Sequence, residues 1–161
     1  MNLLREILKD SNRSDRELAK VLGVSQPTIS RMRRKLVKEK LIDSYTVVPV
    51  FSNMGYRIMV FTFVKTINVF APKAERKRWF NKIKKWTNNK PNVIFTENCR
   101  GMGVDGGMIS LHKSYSDFDV FINEHNQEFG SVITDVKNVF FNLENHETIK
   151  PLHFKYLAND S

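Results

Sequence analysis

The chain has 161 residues, 41% of them apolar, and a single cysteine, Cys99. That apolar share can build a packed core and argues against wholesale disorder, and one cysteine excludes an intrachain disulfide. A formal net charge of +9 points to polyanionic partners, nucleic acid before anionic membrane.

The opening decapeptide MNLLREILKD is charged at Arg5 and Glu6 and lacks the apolar run of a signal peptide. The longest strongly apolar stretch, IMVFTFV, is far short of the ~20 residues that a membrane helix needs. A cytoplasmic protein without membrane association is therefore expected. The charge is unevenly placed. Residues 1–50 carry eleven Lys/Arg against six Asp/Glu, residues 65–90 nine against one, and residues 91–161 five against ten.

In chain order, Leu3, Leu4, Ile7 and Leu8 recur at helical spacing over residues 2–10. Ser14 and Glu17 form the Ser-x-x-Glu pattern of a capping box, which opens a short helix with Leu18, Val21 and Leu22 inward. Gly23 can take the positive φ of a tight turn. Ser25 can cap a third helix, with Pro27 in its first turn, that runs to about Lys38. Residues 41–50 look extended, as a wing or a strand leading away.

From residue 57 the period changes to two. RIMVFTFVKT places Ile58, Val60 and Val64 on one face of a strand and Met59, Phe61 and Phe63 on the other. Residues 73–88 return to helix, with Trp79, Phe80, Ile83 and Trp86 as the apolar stripe. NVIFTENC reads as a strand, RGMGVDGG as a glycine loop and MISLH as a strand. A helix capped by Ser116 follows, with Phe118, Phe121, Ile122, His125 and Phe129 inward and Gly130 at its end. KNVFFNLEN is a fourth strand, and LHFKYL reads as a possible fifth. The order is βαββαβ, a ferredoxin-like split unit. The fold class is thus α+β. A winged helix-turn-helix occupies residues 1–50, and a ferredoxin-like domain that dimerises through its sheet occupies residues 51–161. The strand at 57–66 is apolar on both faces, so a second copy of the chain is the simplest cover for the face that the helices leave bare.

The third helix carries the functional signal. On a wheel at 100° per residue, Ile29, Met32 and Leu36 share one face. Arg31, Arg34 and Lys38 lie opposite, flanked by Thr28, Ser30 and Lys35; Arg33 falls nearer the packed side and is given no role. Ala19 is small where two helices would cross, Gly23 makes the turn, and Leu18, Leu22, Val24, Ile29 and Met32 take the positions buried between helices. This is the helix-turn-helix pattern, whose second helix enters the major groove of double-stranded DNA. Gln26, Thr28, Ser30 and Arg31 come early enough to meet base edges, and the cap Ser25 is counted among the DNA-binding residues with them. Arg34, Lys35 and Lys38 are placed to hold phosphates.

The segment LLREILKDSNRSDRELAKVLGVSQPTISRMRRKLVKEKLIDSYTVV resembles the DNA-binding half of the Lrp/AsnC family of feast/famine regulators. The βαββαβ order resembles the family's second domain more loosely. The resemblance implies homodimers, often assembled into octamers, whose DNA binding responds to amino-acid-like effectors. It also implies an effector pocket at the glycine loop, here Gly101, Gly103 and Asp105. Neither glycine reproduces the family's Gly-x-x-Asp spacing to Asp105, so a weak response to leucine, or none, is expected.

GMGVDG is also a literal G-x-G-x-x-G, but a strand rather than a helix follows it, so it lacks the helix terminus of a dinucleotide site. The histidines His112, His125, His146 and His153 have no metal-ligand spacing, and no metal, cofactor or catalytic group is expected. Two other readings remain: an architectural protein that coats DNA, and an enzyme on the same layout resembling the sirohaem decarboxylases.

Overall fold

The computed structural model describes residues 2–67, 72–144 and 149–159. The chain divides into two compact units. The first comprises residues 1–49 together with 148–161, and the second residues 50–147.

In the first unit, α1 spans Asn2–Lys9, α2 Asp15–Leu22 and α3 Gln26–Lys38. Leu3, Ile7, Leu18, Ala19, Ile29 and Ile42 form its core, flanked by Leu4, Leu22, Met32 and Leu36. Leu18 and Ile29 are completely buried, which contributes about 1.5–3 kcal/mol each. Two expected core positions differ. Val21 is 57% exposed and Val24 38% exposed. An eight-residue helix has one buried stripe, and Leu18, Ala19 and Leu22 already fill it, so Val21 is turned outward. Val24 lies in the turn itself. Residues 42–50 carry no helix or strand, and within them Ile42 alone is buried. The stretch LHFKYL is not a strand. It enters a 3₁₀ helix, Phe154–Asn159, that packs beside α1 through a buried Ala158.

In the second unit, a 3₁₀ turn at Phe51–Met54 leads into β1, Ile58–Thr66. There follow α4, Lys73–Asn88; β2, Val93–Gly101; β3, Val104–His112; α5, Tyr115–Phe129; and β4, Ile133–Asn142. The sheet is antiparallel with order β2-β3-β1-β4, so the first and third strands of the βαββαβ unit lie at the centre and the second and fourth at the edges. The cap of α5 is Ser114 rather than Ser116: its hydroxyl accepts from the Asp117 amide at 3.0 Å, so the cap lies two residues earlier than expected. The glycine stretch is a hairpin with a two-residue turn at Met102 and Gly103, not a long loop. Both residues have positive φ, 50° and 74°, as a type I′ turn requires.

Period two along β1 decides what each face does. Ile58 and Val60 pack under α5 with Met108, Phe118 and Phe121. Trp86 of α4 meets Phe121, His125 and Phe129 of α5 ring to ring, which joins the two helices over the sheet. Met59, Phe61 and Phe63 point to the other face, where the Phe61 and Phe141 rings lie 4.8 Å apart. No helix among the described residues is long and apolar enough to cross a membrane.

Two histidines sit inside this unit. His112 is fully buried, with Nε2 2.8 Å from the Ser110 hydroxyl and Nδ1 3.6 Å from Asp117. His125 is buried between Trp86 and Phe129. Burial pushes both imidazoles below their usual range, although Asp117 opposes this at His112 and Asn126 at His125. A histidine whose folded pKa is depressed stabilises the fold above its unfolded value, and that contribution is lost as the pH falls toward the folded value. Urea unfolding of the full chain is therefore expected to show lower stability at pH 5.5 than at pH 7.5. His125→Phe is expected to flatten part of that slope. A variant with an unchanged slope would show that His125 is not buried neutral.

Candidate nucleic-acid interface

The turn between α2 and α3 is built from local chemistry. The Ser14 hydroxyl accepts from the Glu17 amide, and the Glu17 carboxylate accepts from the Ser14 amide at 2.8 Å, so the capping box is complete. Gly23 takes φ 65°, and the amides of Gly23 and Val24 both donate to the Ala19 carbonyl. A side chain at Gly23 would strain that left-handed backbone. Ser25 caps α3, accepting from the Thr28 amide, and its hydroxyl lies 2.8 Å from that of Thr28.

The faces of α3 separate as the wheel requires. Ile29 is buried, and Met32 and Leu36 pack against the same core. Ser25, Gln26, Arg31, Arg34, Lys35 and Lys38 are exposed, with Thr28 and Ser30 half-buried among them. Gln26, Arg31 and Lys38 have no side-chain hydrogen bond or ion pair among the described residues. Lys35 reaches Glu39 at 3.7 Å, one turn on. Both of those groups are well exposed, so that pair is worth little and a phosphate can replace it. Arg34 Nε donates to the Ser30 carbonyl at 3.4 Å, which lays the side chain along the helix and leaves its terminal nitrogens outward. The result is a cationic ridge beginning at the helix N-terminus, where Gln26 and Arg31 precede Arg34 and Lys38.

Sequence reasoning missed Arg33. Its Nε donates to Asp15 at 2.6 Å, one terminal nitrogen donates to the Arg13 carbonyl at 3.0 Å, and its guanidinium lies over the Tyr45 ring. The Ser30 hydroxyl donates to the other Asp15 oxygen. Asp15 thus receives bonds from two residues of α3 one turn apart. The Ser30 hydrogen bond, with Arg33 behind it, holds the Asp15 carboxyl below its usual range. This arrangement commits Ser30 within the protein, so its hydroxyl reaches a base only by giving up or sharing that bond. The spacing of Asp15 and Arg33, eighteen residues, gives no sequence-level signal. Only the observation that Arg33 breaks the basic face of the wheel hints at an inward role.

The glycine hairpin is the second region that the sequence singles out. Gly101 closes the pairing with Val104, Gly103 lies in the turn, and Asp105 lies in β3. Both Asp105 carboxylate oxygens accept from the Thr66 amide at 3.1 Å, and one also accepts from the Thr66 hydroxyl at 3.0 Å. The carboxylate fastens β1 to β3 and is half-buried. His153 accepts from the Lys155 amide, His146 lies outside the described residues, and Cys99 is a half-buried free thiol on β2. No group of three His, Cys, Asp or Glu among the described residues could hold a metal ion.

Asp15→Ala is expected to cost about 1–3 kcal/mol of stability, since it removes a charged acceptor from two donors. It is also expected to weaken binding of the full chain to DNA even though Asp15 is itself an acid. Chemical denaturation and fluorescence anisotropy on the same preparation check both effects. A gain in DNA affinity from removing the negative charge would show that positioning of α3 by Asp15 is unimportant.

Residues 1–43 match the winged helix-turn-helix DNA-binding family. No curated protein matches the chain by sequence. Among solved structures it is similar to an AsnC family transcriptional regulator from Agrobacterium tumefaciens, at 19% identity and TM-score 0.71 over 97% of this chain and 95% of that one. It is similar also to LrpC of B. subtilis, at 19% identity and TM-score 0.68 over 92% and 94% of the two chains. The transcriptional regulator NMB0573 of Neisseria meningitidis, solved as an L-Met complex, aligns at 16% identity and TM-score 0.72 over 93% and 92%. The chain therefore has the fold of the Lrp/AsnC regulators, a winged helix-turn-helix domain followed by a four-stranded α+β domain.

Proposed function

We propose that this chain is a sequence-specific double-stranded-DNA-binding transcriptional regulator that acts in the cytoplasm as a homodimer, with binding rather than catalysis as its task. The observation that carries this is the division of α3. Its apolar stripe is locked into the core by Ile29, while Gln26, Arg31, Arg34, Lys35 and Lys38 stand exposed on the opposite side. An ordinary solvated helix also shows cations. It does not pair them with a helix-turn-helix whose turn, caps and crossing are all specified. The family match over residues 1–43 supports the same reading.

The dimer is supported by the face of the sheet that α4 and α5 do not cover. Phe95, Val139 and Phe141 lie on it at 55%, 46% and 45% exposure, around Met59, Phe61 and Phe63. Two copies meeting through these faces would bury them and bring two recognition helices to one duplex, as a two-fold operator demands. Larger assemblies, octamers among them, belong to the same reading. An amino-acid-like effector near Gly101, Gly103 and Asp105 is a finer element, and the L-Met complex of the Neisseria neighbour supports looking for one. The Thr66 bonds to Asp105 speak against that carboxylate as its main anchor.

Selection from a random pool of duplex DNA tests the function directly. Enrichment of a palindrome is expected, and diffuse enrichment would indicate a DNA-coating protein instead. On the selected site, about six to ten phosphate contacts per dimer imply a slope of log affinity against log salt of order −5 to −9. A slope shallower than about −2 would overturn the ridge as a phosphate surface.

The dimer has its own test. Phe61→Glu with Phe141→Glu is expected to convert the protein to a folded monomer in sedimentation velocity and to lower affinity for a palindrome by at least a hundredfold. An unchanged sedimentation coefficient would place the interface elsewhere.

A further inference from the structure

The second unit contains a cleft of about 330 Å³ between α4, α5 and the sheet. This volume falls at the small end of the range for small-molecule sites, about 300–1,000 Å³. Its cause lies in the sequence of the edge strand and its neighbour. At the cleft, β2 offers Thr96 and Asn98, and β3 offers Gly106 opposite Asn98. A Cβ at Gly106 would come within 2.9 Å of a Val64 methyl, so no side chain rises there to fill the gap. Above this small, polar floor stand Phe80 and Ile83 of α4, 53% and 38% exposed, with Trp86 and Phe129 behind them. The apolar roof and the polar floor do not match, so the cleft does not collapse on itself.

The charges around the cleft are one-sided. Lys84 lines it, and its ammonium has no ion-pair partner among the described residues. Lys73 and Lys77 fall within 40° of Lys84 on the helix wheel, next to Phe80. The acid that lines the cleft, Glu97, already accepts from the Asn98 amide at 2.9 Å and alternates to the opposite side of the strand from Thr96 and Asn98. His125, at the inner end, is buried and held neutral by that burial.

We propose that this cleft is a binding site for a small aromatic monocarboxylate. The ring lies between the Phe80–Ile83 roof and the Gly106 floor, the carboxylate meets Lys84 at the rim, and Thr96 and Asn98 supply hydrogen bonds. The site lies within one chain and is separate from the hairpin turn at Met102 and Gly103. It does not depend on DNA binding.

The test is calorimetric titration of the full-length protein, without DNA, with 3-phenylpropionate, its neutral amide and phenylalanine. Sub-millimolar binding of the carboxylate is expected, with a change in tryptophan fluorescence from Trp86. The amide and the amino acid are expected to bind at least three- to tenfold more weakly, because one lacks the charge and the other brings an ammonium that no free carboxylate receives. Lys84→Gln, a surface change that leaves the core intact, is expected to weaken the carboxylate three- to tenfold and leave the amide unchanged. Ile83→Trp is expected to fill the cleft and abolish binding, with circular dichroism checking that the variant is folded. No binding of 3-phenylpropionate at several millimolar would overturn the proposal. So would binding that Lys84→Gln and a folded Ile83→Trp both leave unaltered, or phenylalanine binding more tightly than the carboxylate.

Discussion

Asp15 stands at the first position of α2 and accepts from Ser30 and Arg33 of α3, and the DNA-facing half of the molecule depends on that carboxylate. Hydrophobic contact between two short helices fixes that they touch but leaves their rotation about each other soft, because apolar surfaces are not directional. Two charge-assisted bonds to one carboxylate, from residues one turn apart, set the rotation. With it they set which residues of α3 face outward. Arg33 then extends the hold to Arg13 and Tyr45, so the same guanidinium touches the loop before α2, the start of α2 and the segment after α3. The cations left outside this clamp, Arg31, Arg34, Lys35 and Lys38, are the ones that the proposed function assigns to phosphate.

In the second unit the corresponding constraint is the two-sided apolar character of β1. One side is satisfied by Met108, Phe118 and Phe121 within the chain. The other presents Met59, Phe61 and Phe63 beside Val139 and Phe141. Where the sheet runs out toward its edge at β2, beyond Val93, the residues under the helical layer are the small or polar Thr96, Asn98 and Gly106, and the cleft opens there. A single strand order thus creates both an uncovered face and an unfilled pocket, on opposite sides of the same sheet.

Much of this was legible in the residues. Caps and turns are local, so Ser14, Glu17, Gly23 and Ser25 announce the helix-turn-helix directly, and the period change at residue 57 announces the sheet. The faces of α3 follow from a wheel. Val21 and Val24 are apolar residues that the small domain has no room to bury, and an apolar identity alone does not reveal that. LHFKYL alternates apolar and polar residues as a strand would, but six residues of alternation do not supply a neighbouring strand to pair with, and the segment enters a 3₁₀ helix instead. Ser114 and Ser116 are equally good caps by composition, and Phe118 fits the buried stripe from either start. Glycine permits a turn at several positions of the glycine stretch, so the residues alone suggest a loop, while the pairing of Gly101 with Val104 places the turn at just two. The role of Arg33 and the tie between Asp105 and Thr66 rest on contacts eighteen and thirty-nine residues apart in sequence. No local pattern encodes such contacts.

In the proposed complex the N-terminal part of α3 lies in the major groove, twice per dimer. Affinity cleavage measures this most directly. An iron chelate is attached at Gln26→Cys in a Cys99→Ser background, and the cut sites on a selected operator are mapped to the base. Two clusters of cleavage about one helical turn apart, related by the operator's two-fold axis, are the expected pattern. A single cluster, or cleavage spread evenly along the duplex, would contradict it.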